Sequence, residues 1–311
     1  MKCDDSLRGR IENLMERQIS TWPFLSDNYL ALNNLERKTF CFHSGEFRVQ
    51  YNPARKMSSM ASVDKQSING RPCFLCKDNR PEVQEGVLWN DNKYEILVNP
   101  YPVFSKHFTI VSVNHRQQEI KFCSSHLFQL ATELRGYTVF YNGPKCGASA
   151  PDHLHFQAVE SHNLPLWDWI EASVWQNGIV EMKDLPAYRL TDIPVPLWLI
   201  KASDINSADK KFKTLLNTLI FGSDSCGKSP RNMIPEPMIN ILCRVVDNEI
   251  LTVVIHRRCH RPSVYDLDSP EGMIISPASI DLGGVMVLPR KDDFDRFDSK
   301  ILRNVIKEVV L

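Results

Sequence analysis

The order of the apolar-periodic segments between Tyr94 and Glu160 constrains the fold more than any other feature of this sequence. Two strand-like runs, YEILVNPYPVF and HFTIVSV, precede a helical run, HLFQLATELRG, that ends at Gly136. A third strand, YTVFYN, a loop, GPKCGASAPD, and a fourth strand, HLHFQAVE, follow. This order predicts a compact α+β unit of antiparallel strands with a helix on one face.

The second half of the chain repeats part of this order. PLWLIKAS is predicted to be a strand, SADKKFKTLLNTLIFG a helix, and MINILCRVVDNEILTVVIHRR a hairpin. The segment GGVMVLPRKDDFDRFDSKILRNVIKEVV has the layout of the HFTIVSV strand and its helix, but no strand with paired histidines follows it. We therefore predict two fused units, a catalytic one at residues 1–165 and a degenerate one at residues 166–311 that packs on the first.

The charge balance narrows the classes of function. The 311 residues include 37 basic and 37 acidic ones, so the formal net charge is zero. Nucleic-acid-binding proteins usually carry a basic excess, so the balance argues against that class, while small anions could still bind locally. No segment has the apolar length of a signal peptide or of a membrane span. We expect a cytoplasmic protein whose nine cysteines are thiols or metal ligands.

The segment Asp152–Gln157 carries the strongest functional signal. On a strand, the side chains of His153, His155 and Gln157 would project from one face, because side chains alternate along a strand. An isolated His-x-His pattern is equally compatible with an exposed polar strand face, so the interpretation depends on the residues that precede it.

Those preceding residues form a glycine-containing loop, Asn142–Ser149. Gly143 and Gly147 permit a close approach of backbone N–H groups to an anion, and Lys145 and Ser149 add donors. A histidine beside such a loop indicates phosphorus chemistry. The amides of residues 146–149 are the predicted donors to the charge that develops on the phosphoryl oxygens.

A second signal is the C-x-x-C pair of Cys73 and Cys76. Two thiolates can occupy two corners of a tetrahedral zinc site, and His115 and His153 are candidates for the other two. A redox role fits poorly, because the pair does not open a helix after a strand. An ordinary solvated turn is the alternative for His115.

Together, RPCFLCKDNRP, YEILVNPYPVFSKHFTIVSVNH and YNGPKCGASAPDHLHFQ resemble one branch of the histidine-triad superfamily. That branch contains the galactose-1-phosphate uridylyltransferases, the diadenosine tetraphosphate phosphorylases and the GDP-hexose phosphorylases. The resemblance runs from about Val49 to Gln157. It implies an enzyme that acts on a nucleotide sugar or dinucleoside polyphosphate with a phosphate or sugar-phosphate acceptor.

The resemblance also implies roles for the matching residues. Structural zinc is bound in the uridylyltransferases by ligands that correspond here to Cys73, Cys76, His115 and His153. The second histidine of the pair, His155, is implied to be the nucleophile, and Gln157 is implied to contact the phosphoryl oxygens. The implied nucleotide and phosphate contacts are Asn99, Asn142 and Arg55.

The sequence departs from the uridylyltransferase pattern at Leu154, where those enzymes have proline between the histidines. His-Leu-His-Phe-Gln is closer to the GDP-hexose phosphorylases, and GPKCGAS is closer to the dinucleotide phosphorylases, which generally lack the C-x-x-C pair. His256 and His260 do not match the second metal site of some uridylyltransferases, so no second metal is predicted.

The expected chemistry is attack of neutral His155 on an α-phosphorus, followed by transfer of the nucleotidyl group to an acceptor. Because Gln157 cannot shuttle a proton as histidine can, the resemblance favours transfer to phosphate over hydrolysis. A hydrolase that uses the same histidine, and a zinc-stabilised nucleotide-binding protein without activity, are the alternatives. The sequence is compatible with a homodimer and specifies neither the base nor the sugar.

Overall fold

The computed structural model describes residues 4–56, 60, 65–175, 180–182, 185–221 and 235–311. Its α-helices are α1 (Leu7–Thr21), α2 (Pro23–Ala31), α3 (Lys65–Asn69), α4 (Ser124–Glu133), α5 (Leu166–Trp175), α6 (Ile205–Phe221), α7 (Ser279–Leu282), α8 (Lys291–Arg296) and α9 (Ser299–Val309). Its strands are β1 (Arg37–Phe42), β2 (Gly45–Tyr51), β3 (Gly86–Trp89), β4 (Tyr94–Val98), β5 (His107–Ser112), β6 (Tyr137–Asn142), β7 (His155–Glu160), β8 (Val180–Glu181), β9 (Tyr188–Leu190), β10 (Leu197–Ala202), β11 (Ile239–Val246), β12 (Glu249–His256) and β13 (Val285–Leu288).

The centre of the fold is a ten-stranded antiparallel sheet with the order β3-β4-β5-β7-β6-β11-β12-β10-β9-β8. Its two halves share one topology, because β3 to β7 and β8 to β12 are arranged alike on either side of the β6–β11 pair. At that junction Asn142 is the register partner of Asn240. The predicted α+β architecture of antiparallel strands is confirmed.

The internal repeat differs from the one expected from the sequence. The strand of GGVMVLPRK, β13, lies outside the large sheet and pairs in parallel with β2 in a sheet of order β1-β2-β13. The topological partner of β5 is instead β10. A strand followed by a helix is too common a pattern to identify the repeated copy by itself. The division of the chain at residue 165 stays a prediction.

The two faces of the large sheet are covered differently. Helices α1, α2, α4 and α6 pack on one face along its length. The other face of the second half is covered by the small sheet, α5 and α9, so helices lie on both faces there rather than on one. On the first half, that other face lines an open cavity. The covering layers therefore determine where a ligand can enter.

The predicted hairpin of β11 and β12 is present and turns at Asp247 and Asn248. Asp247 and Asn248 have φ angles of 47° and 64°, the left-handed pair that a two-residue hairpin turn requires.

Among the helices of the described residues, none is both long enough and apolar enough to cross a bilayer.

Candidate active site

The cavity on the first half of the sheet has a volume of about 540 Å³. The strand register places Leu97, Thr109 and Gln157 side by side across β4, β5 and β7, and all three line the cavity. Segment 276–287 of the second half closes another side. The two halves of the chain therefore build this site together, whereas the sequence predicted it from the first half alone.

His155 is the first residue of β7, lines the cavity and is 4% exposed. Its Nδ1 lies 2.8 Å from the carbonyl oxygen of His153, so Nδ1 must carry a proton to make that bond. Burial lowers the pKa of His155 to about 4, so the ring is neutral at pH 7. The lone pair therefore lies on Nε2, the atom available to attack an electrophile.

The backbone of His155 is held by a residue that the sequence did not indicate, Gln118. The pairing of β6 with β7 ends at Phe140 and Gln157, before it reaches His155. At His155 the fully buried side chain of Gln118 forms the backbone hydrogen bonds that a paired strand would otherwise form. Its Oε1 accepts from His155 N at 2.8 Å, and its Nε2 donates to the carbonyls of His155 and Asn142 at 3.1 and 2.9 Å.

Replacing Gln118 with Leu should therefore destabilise the protein and misplace His155. Leucine has a volume similar to that of glutamine but forms no hydrogen bonds. The substitution therefore leaves three buried backbone groups, His155 N, His155 O and Asn142 O, without these partners, each at a cost of about 1–3 kcal/mol. We expect the free energy of unfolding, measured with urea, to fall by about 3 kcal/mol or more. Gln129→Leu is the control, because Gln129 is half-buried and donates only to the Glu133 side chain. Equal stability of the two variants would contradict the role of Gln118.

Asn142, at the end of β6, lines the cavity with a fixed orientation. Its Oδ1 accepts from Asn240 Nδ2 at 2.9 Å and from Ser279 N and Oγ at 2.8 and 2.7 Å. Arg257, which is 2% exposed, in turn donates to Asn240 Oδ1 at 2.9 Å. Because the oxygen of Asn142 is fully engaged, its Nδ2 is the group free to donate to a ligand.

The glycine loop divides into residues that reach the cavity and residues that do not. Gly147 and Ser149 line the cavity, and Gly147 has a φ of +89° with Ala278 Cβ 2.5 Å from where a side chain would begin. No larger residue fits there without strain. Within the described chain, Gly143 and Lys145 are not among the lining residues: Gly143 donates its N–H to Ile239 O, and Lys145 is exposed.

Cys146, in the same loop, is buried and structural. Its N–H donates to Gly143 O at 2.8 Å, so this amide, one of the predicted anion donors, is already engaged. Burial raises the pKa of its thiol to about 12, which opposes formation of a nucleophilic thiolate.

Arg55 and Asn99 also line the cavity. Arg55 donates from Nη1 to Tyr101 O at 2.8 Å. Burial lowers the pKa of Arg55, and the nearby carboxylate of Asp281 favours the charged guanidinium. Burial raises the pKa of Asp281 to about 6. Asn99 accepts from Tyr101 N at 2.9 Å and donates to Thr109 Oγ1 at 3.0 Å. Arg55 and Asn99, the predicted contacts to the nucleotide and phosphate, therefore both line the cavity. Each also forms a hydrogen bond with the backbone of Tyr101.

The four predicted metal ligands meet in one cluster. The Sγ of Cys73 lies 3.3 Å from His153 Nδ1, and the Sγ of Cys76 lies 3.2 Å from His115 Nδ1. All four ligand atoms lie within 4.8 Å of one another. A tetrahedral metal with ordinary bonds to sulfur and nitrogen needs neighbouring S and N atoms about 3.5 Å apart. The cluster could therefore hold a metal ion.

The surroundings of His153 fix which atom faces the cluster. Strand β7 begins two residues later than expected, so His153 lies in the preceding turn. Its Nε2 lies 2.7 Å from Ser112 O, so Nε2 carries the proton and the lone pair of Nδ1 points at Cys73. The side chains of His153 and His155 consequently face two adjacent places, the Cys/His cluster and the cavity.

Comparison with known proteins gives matches to a family and to solved structures. A family described as a domain of unknown function, DUF4922, matches residues 14–160. None of the curated proteins compared matches the chain. The structure of yeast Ap4A phosphorylase Apa2 matches with a TM-score of 0.60 and 17% identity over 93% of this chain and 96% of that one. The same enzyme in complex with Ap4A matches with a TM-score of 0.59 and 14% identity over 94% and 97% of the two chains.

The chain therefore has the fold of a solved nucleotide phosphorylase. More particularly, the fold is that of yeast Ap4A phosphorylase over almost its whole length. The resemblance drawn from the C-x-x-C, glycine-loop and His-Leu-His-Phe-Gln motifs is confirmed at the level of the fold, and it extends beyond Gln157 into the second half.

Proposed function

We propose that this protein is a nucleotidyltransferase or phosphorylase that moves a nucleoside monophosphate from a nucleotide sugar or dinucleoside polyphosphate to phosphate or a sugar 1-phosphate. The observation that carries the proposal is His155, a neutral, buried histidine whose Nε2 is free in a cavity of about 540 Å³. The likeness to an enzyme solved with Ap4A and with AMP supports a nucleotide as the substrate.

The reaction would proceed in two displacements. His155 Nε2 forms a bond to the α-phosphorus while the bond from phosphorus to the leaving oxygen breaks. The leaving group departs as a sugar 1-phosphate from a nucleotide sugar, or as a nucleoside polyphosphate from a dinucleoside polyphosphate. The proton stays on Nδ1, where the His153 carbonyl stabilises the positive ring of the nucleotidyl-histidine. An acceptor phosphate oxygen then attacks phosphorus, the N–P bond breaks, and neutral His155 is restored.

Donors around the cavity would stabilise the charge that develops on the phosphoryl oxygens. Asn142 Nδ2, Ser149 and the Gln157 amide are available to this anion, and the bonds to Asn240 and Ser279 hold Asn142 in place before the reaction. Arg55 would add positive charge near the nucleotide. Gly143 and Lys145 act on the loop rather than on the substrate in this proposal.

We further propose that the cluster of Cys73, Cys76, His115 and His153 binds structural zinc. Two thiolates and two imidazoles are a typical donor set for zinc, and four protein ligands leave no open position for substrate. The metal would orient the segment that leads into His155. A cytoplasmic location and a homodimer, both expected from the sequence, stay predictions.

A substrate screen tests the proposed function. The purified protein is incubated with a panel of nucleotide sugars and dinucleoside polyphosphates, with and without phosphate or sugar 1-phosphates. We expect at least one donor to be consumed beyond one equivalent per protein only when an acceptor is present, with the nucleoside monophosphate appearing on that acceptor. Consumption at the same rate without an acceptor would identify a hydrolase. Tight binding without turnover of any donor would identify a nucleotide-binding protein.

A further inference from the structure

His107, the first residue of β5, contacts two residues that line the cavity, Gln157 and Asn99. It is fully buried, and its Nε2 lies 2.9 Å from Gln157 Oε1. In the register of β5 with β7, His107 pairs with Val159, which lies two residues from Gln157 along β7. The contact between His107 and Gln157 is therefore made by their side chains. The sequence did not indicate a functional role for His107.

The hydrogen bonds of His107 determine its tautomer. The backbone N–H of Val103 donates to His107 Nδ1 at 3.3 Å, so Nδ1 carries a lone pair. Burial lowers the pKa of His107 to about 3, so the ring holds a single proton at pH 7. That proton therefore lies on Nε2. Two polar atoms lie near it, Gln157 Oε1 at 2.9 Å and Asn99 Nδ2 at 3.5 Å. Because Asn99 Nδ2 is a donor that already bonds to Thr109 Oγ1, His107 Nε2 donates to Gln157.

This donation fixes the Gln157 amide, because only its oxygen can accept from His107 Nε2. The NH₂ group of Gln157 is then the part of the amide that faces the cavity, next to His155 on the same strand. With the opposite orientation, an amide oxygen would face the phosphoryl oxygens and repel the charge that develops on them. A glutamine amide has no orientation of its own, so a partner has to impose one.

We propose that His107 is a positioning residue that holds the Gln157 amide with Nε2 toward the cavity, as a donor to a phosphoryl oxygen of the substrate. The use of that donor on a phosphoryl oxygen rests on the proposed function. The orientation itself rests on the contacts from Val103 through His107 to Gln157.

Two substitutions of His107 separate its two contacts. His107→Asn places an amide near the position of Nδ1, where it can accept from Val103 N but cannot reach Gln157. His107→Gln places an N–H near the position of Nε2 and can still donate to Gln157. We expect His107→Asn to slow nucleotidylation of the protein in a single turnover about tenfold, the effect of one lost hydrogen bond to a developing charge. His107→Gln should stay within about threefold of wild type.

The same substitution in a Gln157→Ala background completes the test. Without an amide to orient, His107→Asn should change the rate less than about twofold, because contacting residues are not additive. The apparent dissociation constant of the donor should change little in either background. Equal losses in His107→Asn and His107→Gln, or a tenfold loss that persists without Gln157, would show that His107 has only a structural role.

A readout independent of activity covers failure of the proposed function or of the variants to fold. Nitrogen NMR of histidine-labelled wild-type protein reports which ring nitrogen of His107 is protonated, with the resonance assigned by its absence in the His107→Gln variant or, if that variant does not fold, by segmental labelling. A proton on Nε2 supports the inference, whereas a proton on Nδ1 overturns it. A wild-type protein that is inactive toward the whole panel, with the proton on Nε2, refutes the proposed function and leaves the amide orientation supported.

Discussion

Replacing His155 with Ala should abolish nucleotidyl transfer, with a loss of at least about 10³-fold in kcat, because His155 Nε2 is the nucleophile of the proposed reaction. The intact mass of wild-type protein after brief exposure to a productive donor without acceptor should rise by one nucleoside monophosphate. That adduct should disappear on addition of phosphate or sugar phosphate, and it should be absent from His155→Ala. Donor binding by the variant should remain largely intact.

His162→Ala is the matched control, because His162 is an exposed histidine on the turn that follows β7. Its adduct and turnover should equal those of wild type. The measurement also separates a nucleophile from a general base, which loss of activity alone cannot do. Turnover with single-step inversion at the α-phosphorus and without any adduct would rule out the covalent mechanism and leave His155 as a base or a phosphate ligand.

The residues that reach the cavity from β7 were predictable, because strand alternation and the adjacent glycine loop are local signals. His155 and Gln157 are two residues apart on a strand, and that spacing determines which face they share. The C-x-x-C pair of Cys73 and Cys76 is also local, and its chemistry restricts the partners it can take. For these residues, their spacing in the sequence is enough to predict which side chains lie together.

The residues that fix the positions of His155 and Asn142 were not predictable, because their contacts join parts of the chain that are far apart in sequence. Gln118 bonds to the backbone of His155 where β6 and β7 separate, and no periodicity marks such a position. Ser279 and Asn240 meet Asn142 only because the second half of the chain pairs with β6. A buried side chain that bonds to the backbone of a remote strand leaves no pattern in a single sequence.

The predicted loop contacts show a similar limit. A glycine-containing loop indicates a close backbone approach, but it does not indicate what approaches. At Gly147 the neighbour is Ala278 at the edge of the cavity, whereas at Gly143 it is the carbonyl of Ile239 in β11. The same residue type thus borders the cavity at one position and packs against a strand at the other.

Purified protein prepared without chelator should contain about one zinc per chain, and Cys73→Ser should remove it. The ligands come from four places, namely both ends of the C-x-x-C turn, the segment after β5 and the turn before β7. The metal would therefore cross-link three segments that share no regular secondary structure. We expect Cys73→Ser to lower the free energy of unfolding by about 3 kcal/mol or more, measured by denaturant titration alongside metal analysis.

Cys41→Ser provides the control, because Cys41 is an exposed free cysteine on β1 and is not part of the cluster. Chelator should destabilise wild type and Cys41→Ser alike and leave Cys73→Ser unchanged, since that variant has no metal to lose. Because four protein ligands leave no site for substrate, the folded fraction of Cys73→Ser should still form the His155 adduct, at a reduced rate. Wild-type protein that contains no zinc, together with a Cys73→Ser variant as stable as Cys41→Ser, would remove the structural metal site.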